Sequence, residues 1–216
     1  MASRSIAAQF MGLIAMAIPW GLHAQADFRY DAKVFAFLPE WCKYTPLWGS
    51  SAPGLKVEER ERLHRLMGPQ NFRHLHHYCR GLFLTARALY FEQTKAGRDA
   101  ALTGSLGEYE YSILRVEPTF ALLPEMLTKK GETLVLLGRA EAVVALHQAI
   151  SLRGDYWPAY VALSDYFANL GNVEQARQWL QKGLNAAPQA QVLVRRLAEL
   201  ERKAKNVAPS NAAPKN

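Results

Sequence analysis

The sequence predicts an all-α fold: a short α-solenoid of stacked helix–turn–helix pairs, with an irregular N-terminal segment before it and a capping helix after it. Three observations predict this. Residues 157–190 place apolar and small side chains at the spacing of two paired helices, a weaker copy of the pattern lies one unit upstream, and an amphipathic stretch follows the last unit. A single helix pair cannot bury its own apolar face, so such units must stack on one another. The composition agrees with a folded domain, since half of the 216 residues are hydrophobic and 21% are charged, the ordinary globular balance.

Residues 1–26 read as a leader. Arg4 supplies a positive start, an apolar run extends from Ile6 to about Trp20, and Ala24-Gln25-Ala26 gives the small-x-small pattern of a cleavage site after Ala26. The run falls short of the roughly 20 residues that span a bilayer, and no Cys precedes Cys42 to carry a lipid. A mature chain that is periplasmic or secreted, without a transmembrane anchor, is expected.

Residues 27–56 do not repeat. Phe35, Phe37, Trp41, Tyr44 and Trp48 alternate with Pro39, Pro46, Gly49, Pro53 and Gly54. These rings either cover the end of the helical stack or form a surface for peptide or glycan; large rings are more often core, which favours the cover. The chain has two cysteines, Cys42 and Cys79, and export would place both where disulfides form, so a bridge between them is expected. Closing a loop of this length stabilises a fold by about 3–4 kcal/mol in the chain-entropy model. A competing reading takes His74, His77 and Cys79, from the run His74-Leu75-His76-His77-Tyr78-Cys79, as metal ligands. The spacing fits no familiar ligand set, so no metal and no cofactor are expected.

The helical domain is placed at 57–203. Its best unit is 157–190, where Tyr160, Leu163, Ser164 and Phe167 share one helix face, Gly171-Asn172 makes the turn, and Ala176, Leu180 and Gly183 mark the inner face of the second helix before Pro188. In the upstream unit, 124–156, Leu127, Lys130, Gly131, Leu134 and Gly138 precede Tyr160, Leu163, Ser164, Phe167 and Gly171 by one constant offset. Ala142, Leu146 and Ala149 precede Ala176, Leu180 and Gly183 by an offset one longer. One residue must therefore differ near the turn. A third, earlier pair is sketched by His77–Leu84, with Gly81 in the small position, and by a partner from about Ser105 to Arg115 carrying Tyr109, Ile113 and Leu114. Gln93–Thr103 would connect them. After the repeats, Gln191–Lys203 turns Val192, Leu193, Leu197 and Leu200 inward as a cap, and residues 204–216 are a Pro/Ala/Asn-rich tail.

This spacing closely resembles the tetratricopeptide repeat, a two-helix unit of about 34 residues. Ser164 stands where that family prefers Gly, and Lys130 and Gly154 depart further in the upstream unit. An exported domain with an aromatic, Cys-bearing segment before degenerate repeats is similar to tetratricopeptide proteins of proteobacteria. The resemblance implies a groove, lined by the first helix of each pair, that takes a segment of a partner protein. Carried over by position, the groove residues are Thr128, Glu132, Val135, Val161, Asp165, Ala168 and Asn169, with the acids suited to partner Lys or Arg.

The formal charge of +7 permits anionic partners, but the bases are interspersed with acids, as in Glu58-Glu59-Arg60-Glu61-Arg62, so nucleic acid is not expected. Phosphate-binding loops and a nucleophile elbow are missing from the sequence. The chain therefore reads as a non-enzymatic adaptor or scaffold for another protein, in a secretion, surface-polysaccharide or cell-wall assembly of the envelope. The alternatives are a metal or redox module on the His/Cys cluster and a glycan-binding accessory factor.

Overall fold

A computed structural model describes residues 31–45 and 54–207, all helix and connections. The expected leader, Trp48 and the end of the tail lie outside the described residues. A short helix α1 (Ala32–Phe35) and a 3-10 helix (Glu40–Tyr44) precede α2 (Val57–Met67), α3 (Pro69–Tyr90), α4 (Lys95–Ile113), α5 (Leu123–Leu136), α6 (Ala142–Leu152), α7 (Trp157–Asn169), α8 (Val173–Ala186) and α9 (Gln191–Val207). Three antiparallel pairs, α3/α4, α5/α6 and α7/α8, stack in sequence, and α9 closes on α8 and α7. This is a short α-solenoid. α9 runs on to Val207, past Lys203 and into the expected tail.

Local chemistry sets each boundary. Gly68 adopts φ 80° between α2 and α3, a left-handed conformation that glycine takes without a Cβ penalty, and Pro69 opens α3. The hydroxyl of Thr94 caps α4 by accepting from Gly97 N–H at 3.0 Å. α5 and α7 end identically. In α5, Arg139 N–H donates to Leu134 and Gly138 N–H to Val135; in α7, Asn172 N–H donates to Phe167 and Gly171 N–H to Ala168. Both are Schellman turns around a left-handed glycine. The one-residue difference inferred from the sequence falls just after them: α8 begins at Val173, ahead of Ala176, whereas α6 begins at Ala142 itself.

Small residues set the distance between paired helices. A Cβ on Gly131 would sit 2.5 Å from the Leu146 side chain, and one on Gly81 would sit 2.4 Å from the Tyr109 ring, so the backbone of each first helix lies directly on the large residue of the second. Ser164 is buried at the same position of the last pair, where Leu180 is buried too. The first pair is therefore a repeat-like unit, but a stretched one: Tyr109 follows Gly81 at nearly twice the separation of Leu146 from Gly131 or of Leu180 from Ser164. The stretch expected to connect its helices, Gln93–Thr103, is mostly the first turns of α4. Leu114, expected inside, is 80% exposed because it lies past the last turn of α4. Lys130, on the face where the repeat prefers an apolar residue, turns its ammonium to Glu110 of α4 at 3.0 Å.

The core runs through all three pairs, from Leu75 and Tyr78 through Tyr109 and Met126 to Leu146 and Leu163. Two side chains tie the first pair to the second. The Asn71 amide donates to Glu117 at 2.7 Å and its carbonyl accepts Glu117 N–H at 2.8 Å, pinning the connection between α4 and α5. The Tyr78 hydroxyl donates to Glu125 at 2.7 Å, and burial pushes its pKa well above the ordinary phenol value.

The N-terminal rings cover the stack. Val34, Phe35, Leu38 and Cys42 pack on Cys79, Phe83 and Ala86 of α3, Trp41 stacks over Tyr78, and Tyr44 joins the main core. Phe37 is different: half exposed, it stacks on the Tyr90 ring at the end of α3. Cys42 and Cys79 form a disulfide with their Cα atoms 5.7 Å apart, and both are fully buried.

Leu163→Asp places an unpaired charge at a position with no exposure and should remove about 3–5 kcal/mol of stability; an unchanged denaturant midpoint would disprove the assigned register. The Cys42→Ala/Cys79→Ala double variant should lose about 3–4 kcal/mol, read as a lower melting temperature that reductant no longer affects.

Candidate functional site

The first helices α5, α7 and α9 lie side by side, α5 against α7 and α7 against α9. Between α5 and α7 runs a trough of about 300 Å3 lined by Glu132, Val135, Leu136, Ala162, Asp165 and Asn169. A smaller recess of about 120 Å3 continues between α7 and α9, where Asp165, Ala168 and Asn169 face Arg196, Glu199 and Lys203. Of the residues expected in a groove, Glu132, Val135, Asp165, Ala168 and Asn169 are thus brought together. Thr128 is not among them: it is 1% exposed, and its hydroxyl donates to the Pro124 carbonyl at 2.8 Å within α5. Val161 is partly buried against the cluster of Tyr160, Leu180 and Leu193.

Register explains what the site contains beyond those residues. Glu132, Asp165 and Glu199 recur at the period of the repeat, so α5, α7 and α9 each carry a carboxylate at the same position, where α3 has Leu82. Glu199 becomes legible once α9 is read as the first helix of an incomplete repeat rather than only as a cap. The bases follow the same register, because Lys129 and Arg196 each precede an acid by one helical turn, with Ala162 between them in the series.

These charges are already paired. Lys129 reaches Glu132 at 2.8 Å, Lys203 reaches Glu199 at 2.7 Å, and Arg196 bonds both Glu199 and Asp165. Glu132 and Asp165, expected to suit a partner's Lys or Arg, thus already hold cations of the chain itself, and a partner's cationic side chain would have to replace Lys129 or Arg196. Loss of water raises the Asp165 carboxyl above its usual range, and Arg196 opposes that rise. Glu199, partly exposed, is held below its usual range first by Lys203 and then by Arg196. The Lys129 and Arg196 pairs are part-buried, so a partner's cation would have to remake the hydrogen bonds it displaces.

The His/Cys cluster does not assemble as a ligand set. The Cys79 sulfur is bonded to Cys42. His77 shares a 2.6 Å hydrogen bond with Glu108 and lies on the Tyr111 ring, while His76 bonds the Arg73 carbonyl. Burial lowers the pKa of both His74 and His76. Among the described residues no group of three His, Cys, Asp or Glu is placed to hold a metal ion. Among them, too, no helix is long and apolar enough to cross a membrane.

A family model described as a tetratricopeptide repeat matches residues 139–200, from the turn before α6 to most of α9. No curated protein and no solved structure matches the chain. The matched repeat and the helical stacking place the fold in a class that acts as a protein-binding scaffold rather than as a catalyst.

The Arg196–Asp165 pair generates a pH test. A carboxyl whose folded pKa is raised contributes stability that is present below the unfolded pKa and lost as pH rises through the folded one. Arg196→Ala removes the group that opposes the rise at Asp165, so the variant's stability deficit should be largest near about pH 7 and shrink toward about pH 4. Melting curves across that range check it, and a deficit that grows on acidification would contradict the pairing.

Proposed function

We propose that this chain is an exported adaptor that holds a segment of another protein in the trough along α5, α7 and α9, within an assembly of the cell envelope. The observation that carries the reading is the row Glu132, Asp165 and Glu199, at one position of α5, α7 and α9, beside the apolar floor of Val135, Leu136 and Ala162. A row repeated at the pitch of the stack suits an extended segment that also repeats, with an apolar side chain on the floor and cations along the row. The half-exposed Leu136 gains from such cover. The matched repeat at 139–200 supports the class of partner. The leader pattern at 1–26, with its small residues at Ala24 and Ala26, supports the compartment. Metal chemistry has no comparable support, because its candidate thiol is in the disulfide. The glycan reading rests on the exposed rings of Phe37 and Tyr90, whose faces already cover each other at 4.3 Å.

In-cell crosslinking followed by mass spectrometry tests the proposal, run with the wild type beside a Glu132→Lys/Val135→Glu variant of unchanged melting temperature. One dominant partner, reduced by about tenfold or more in the variant, is expected. A partner retained by the variant, or none above background, would end the trough reading. The same spectra give the mature N-terminus, expected at Asp27; a chain that keeps residues 1–26 would remove export.

A further inference from the structure

A second cavity lies away from the trough, between α2 and the start of α3. It holds about 510 Å3 and is lined by Val57, Arg60, His64, Arg65, Phe72 and Arg73 among others. That volume falls within the range of sites that enclose a bound group. Its floor is apolar: Phe72 is buried, with the His64 ring set edge-on to it at 5.2 Å, and Val57 is 59% exposed at the rim. Around this floor stand three guanidinium groups, and the one carboxylate among the described lining residues, Glu61, is 3.9 Å from Arg65. The arrangement follows from helix periodicity. Val57, Arg60, Glu61, His64 and Arg65 fall at three- and four-residue spacing on one face of α2, while Glu59 and Arg62 pair with each other elsewhere on the helix at 3.0 Å. The run Glu58–Arg62, with three acids and two bases in sequence, is thereby sorted, and together with Arg65 and Arg73 it leaves three guanidinium groups against one carboxylate at the cavity.

We propose that this cavity is a second protein-docking site, and that its occupant is an acidic peptide segment carrying one aliphatic or aromatic side chain between its carboxylates. Charge complementarity selects the acidic flanks, since guanidinium groups pair with carboxylates through directed, charge-assisted hydrogen bonds. The apolar floor selects the central side chain, because Val57 and Phe72 offer an anchor only apolar contact. An inorganic anion or a polyanion without an apolar group leaves that floor uncovered. The site lies on α2, ahead of the repeats, and its charge is opposite to the acidic row of the trough. The chain can therefore hold an acidic and a basic segment at once.

Selection of a random displayed peptide library on the full chain tests this, in parallel with an Arg60→Glu/Arg73→Glu variant and a Glu132→Lys variant, both confirmed folded by melting. The expected result is enrichment of peptides with Asp or Glu flanking one large apolar residue. Those peptides should bind the Arg60→Glu/Arg73→Glu variant at least about tenfold more weakly and the Glu132→Lys variant unchanged. Replacing their apolar residue by Ser should also abolish binding. No enrichment, enrichment without acidic residues, or equal binding by the Arg60→Glu/Arg73→Glu variant would overturn the proposal. Binding of polyglutamate as tight as that of the anchored peptides would overturn it as well, by reducing the site to a general anion surface.

Discussion

Everything else in this molecule depends on the backbone of each first helix coming down onto a large side chain of its partner. At Gly81 and Gly131 the space for a Cβ is already taken by the Tyr109 ring and the Leu146 side chain, and Gly183 meets Tyr160 and Leu193 in the same way from the other direction. Close approach fixes the distance within a pair. That distance in turn fixes how far the next first helix stands from the last, and so the width of the trough between α5 and α7. Van der Waals contact at this range is individually weak and collectively large, and at Gly81 and Gly131 an added Cβ would overlap the partner side chain.

The fold is legible where the small residues and turns keep their register. Gly138 and Gly171 stop α5 and α7 with the same pair of hydrogen bonds, and their spacing alone locates both helices and the missing residue after the first turn. The α3/α4 pair is only half legible. Its helices, of 22 and 19 residues, are longer than those of the repeat, so pattern matching at the repeat period finds Gly81 and Tyr109 but mistakes the start of α4 for a connection. Gly97, Gly104 and Gly107 deepen the error, because glycine is a poor helix former and tertiary packing supplies what propensity does not.

The site is legible in its acids and illegible in their partners. Glu132 and Asp165 follow from register, and Glu199 follows too once α9 is counted as a half unit. Nothing in the spacing says that Arg196 reaches across from α9 to Asp165, since that contact depends on how two helices from different units lie together. Thr128 is misplaced for a related reason. Position in a repeat says which helix face a residue occupies, but a threonine hydroxyl can turn inward and satisfy itself on the carbonyl one turn back.

The disulfide lies at one end of the stack only. A solenoid is held together by contacts between neighbours, so it opens from whichever terminus is less well fastened. Cys42 and Cys79 fasten the α3 end covalently, while α9 is held at the other by side-chain packing and part-buried ion pairs. Fraying is therefore directional. It begins at α9 and travels toward α3, so the α7–α9 wall is the first part of the trough to breathe, and amide exchange should be fastest at α9 and slow toward α3. The stack thus has a stapled base at α3 and a more yielding lip at α9.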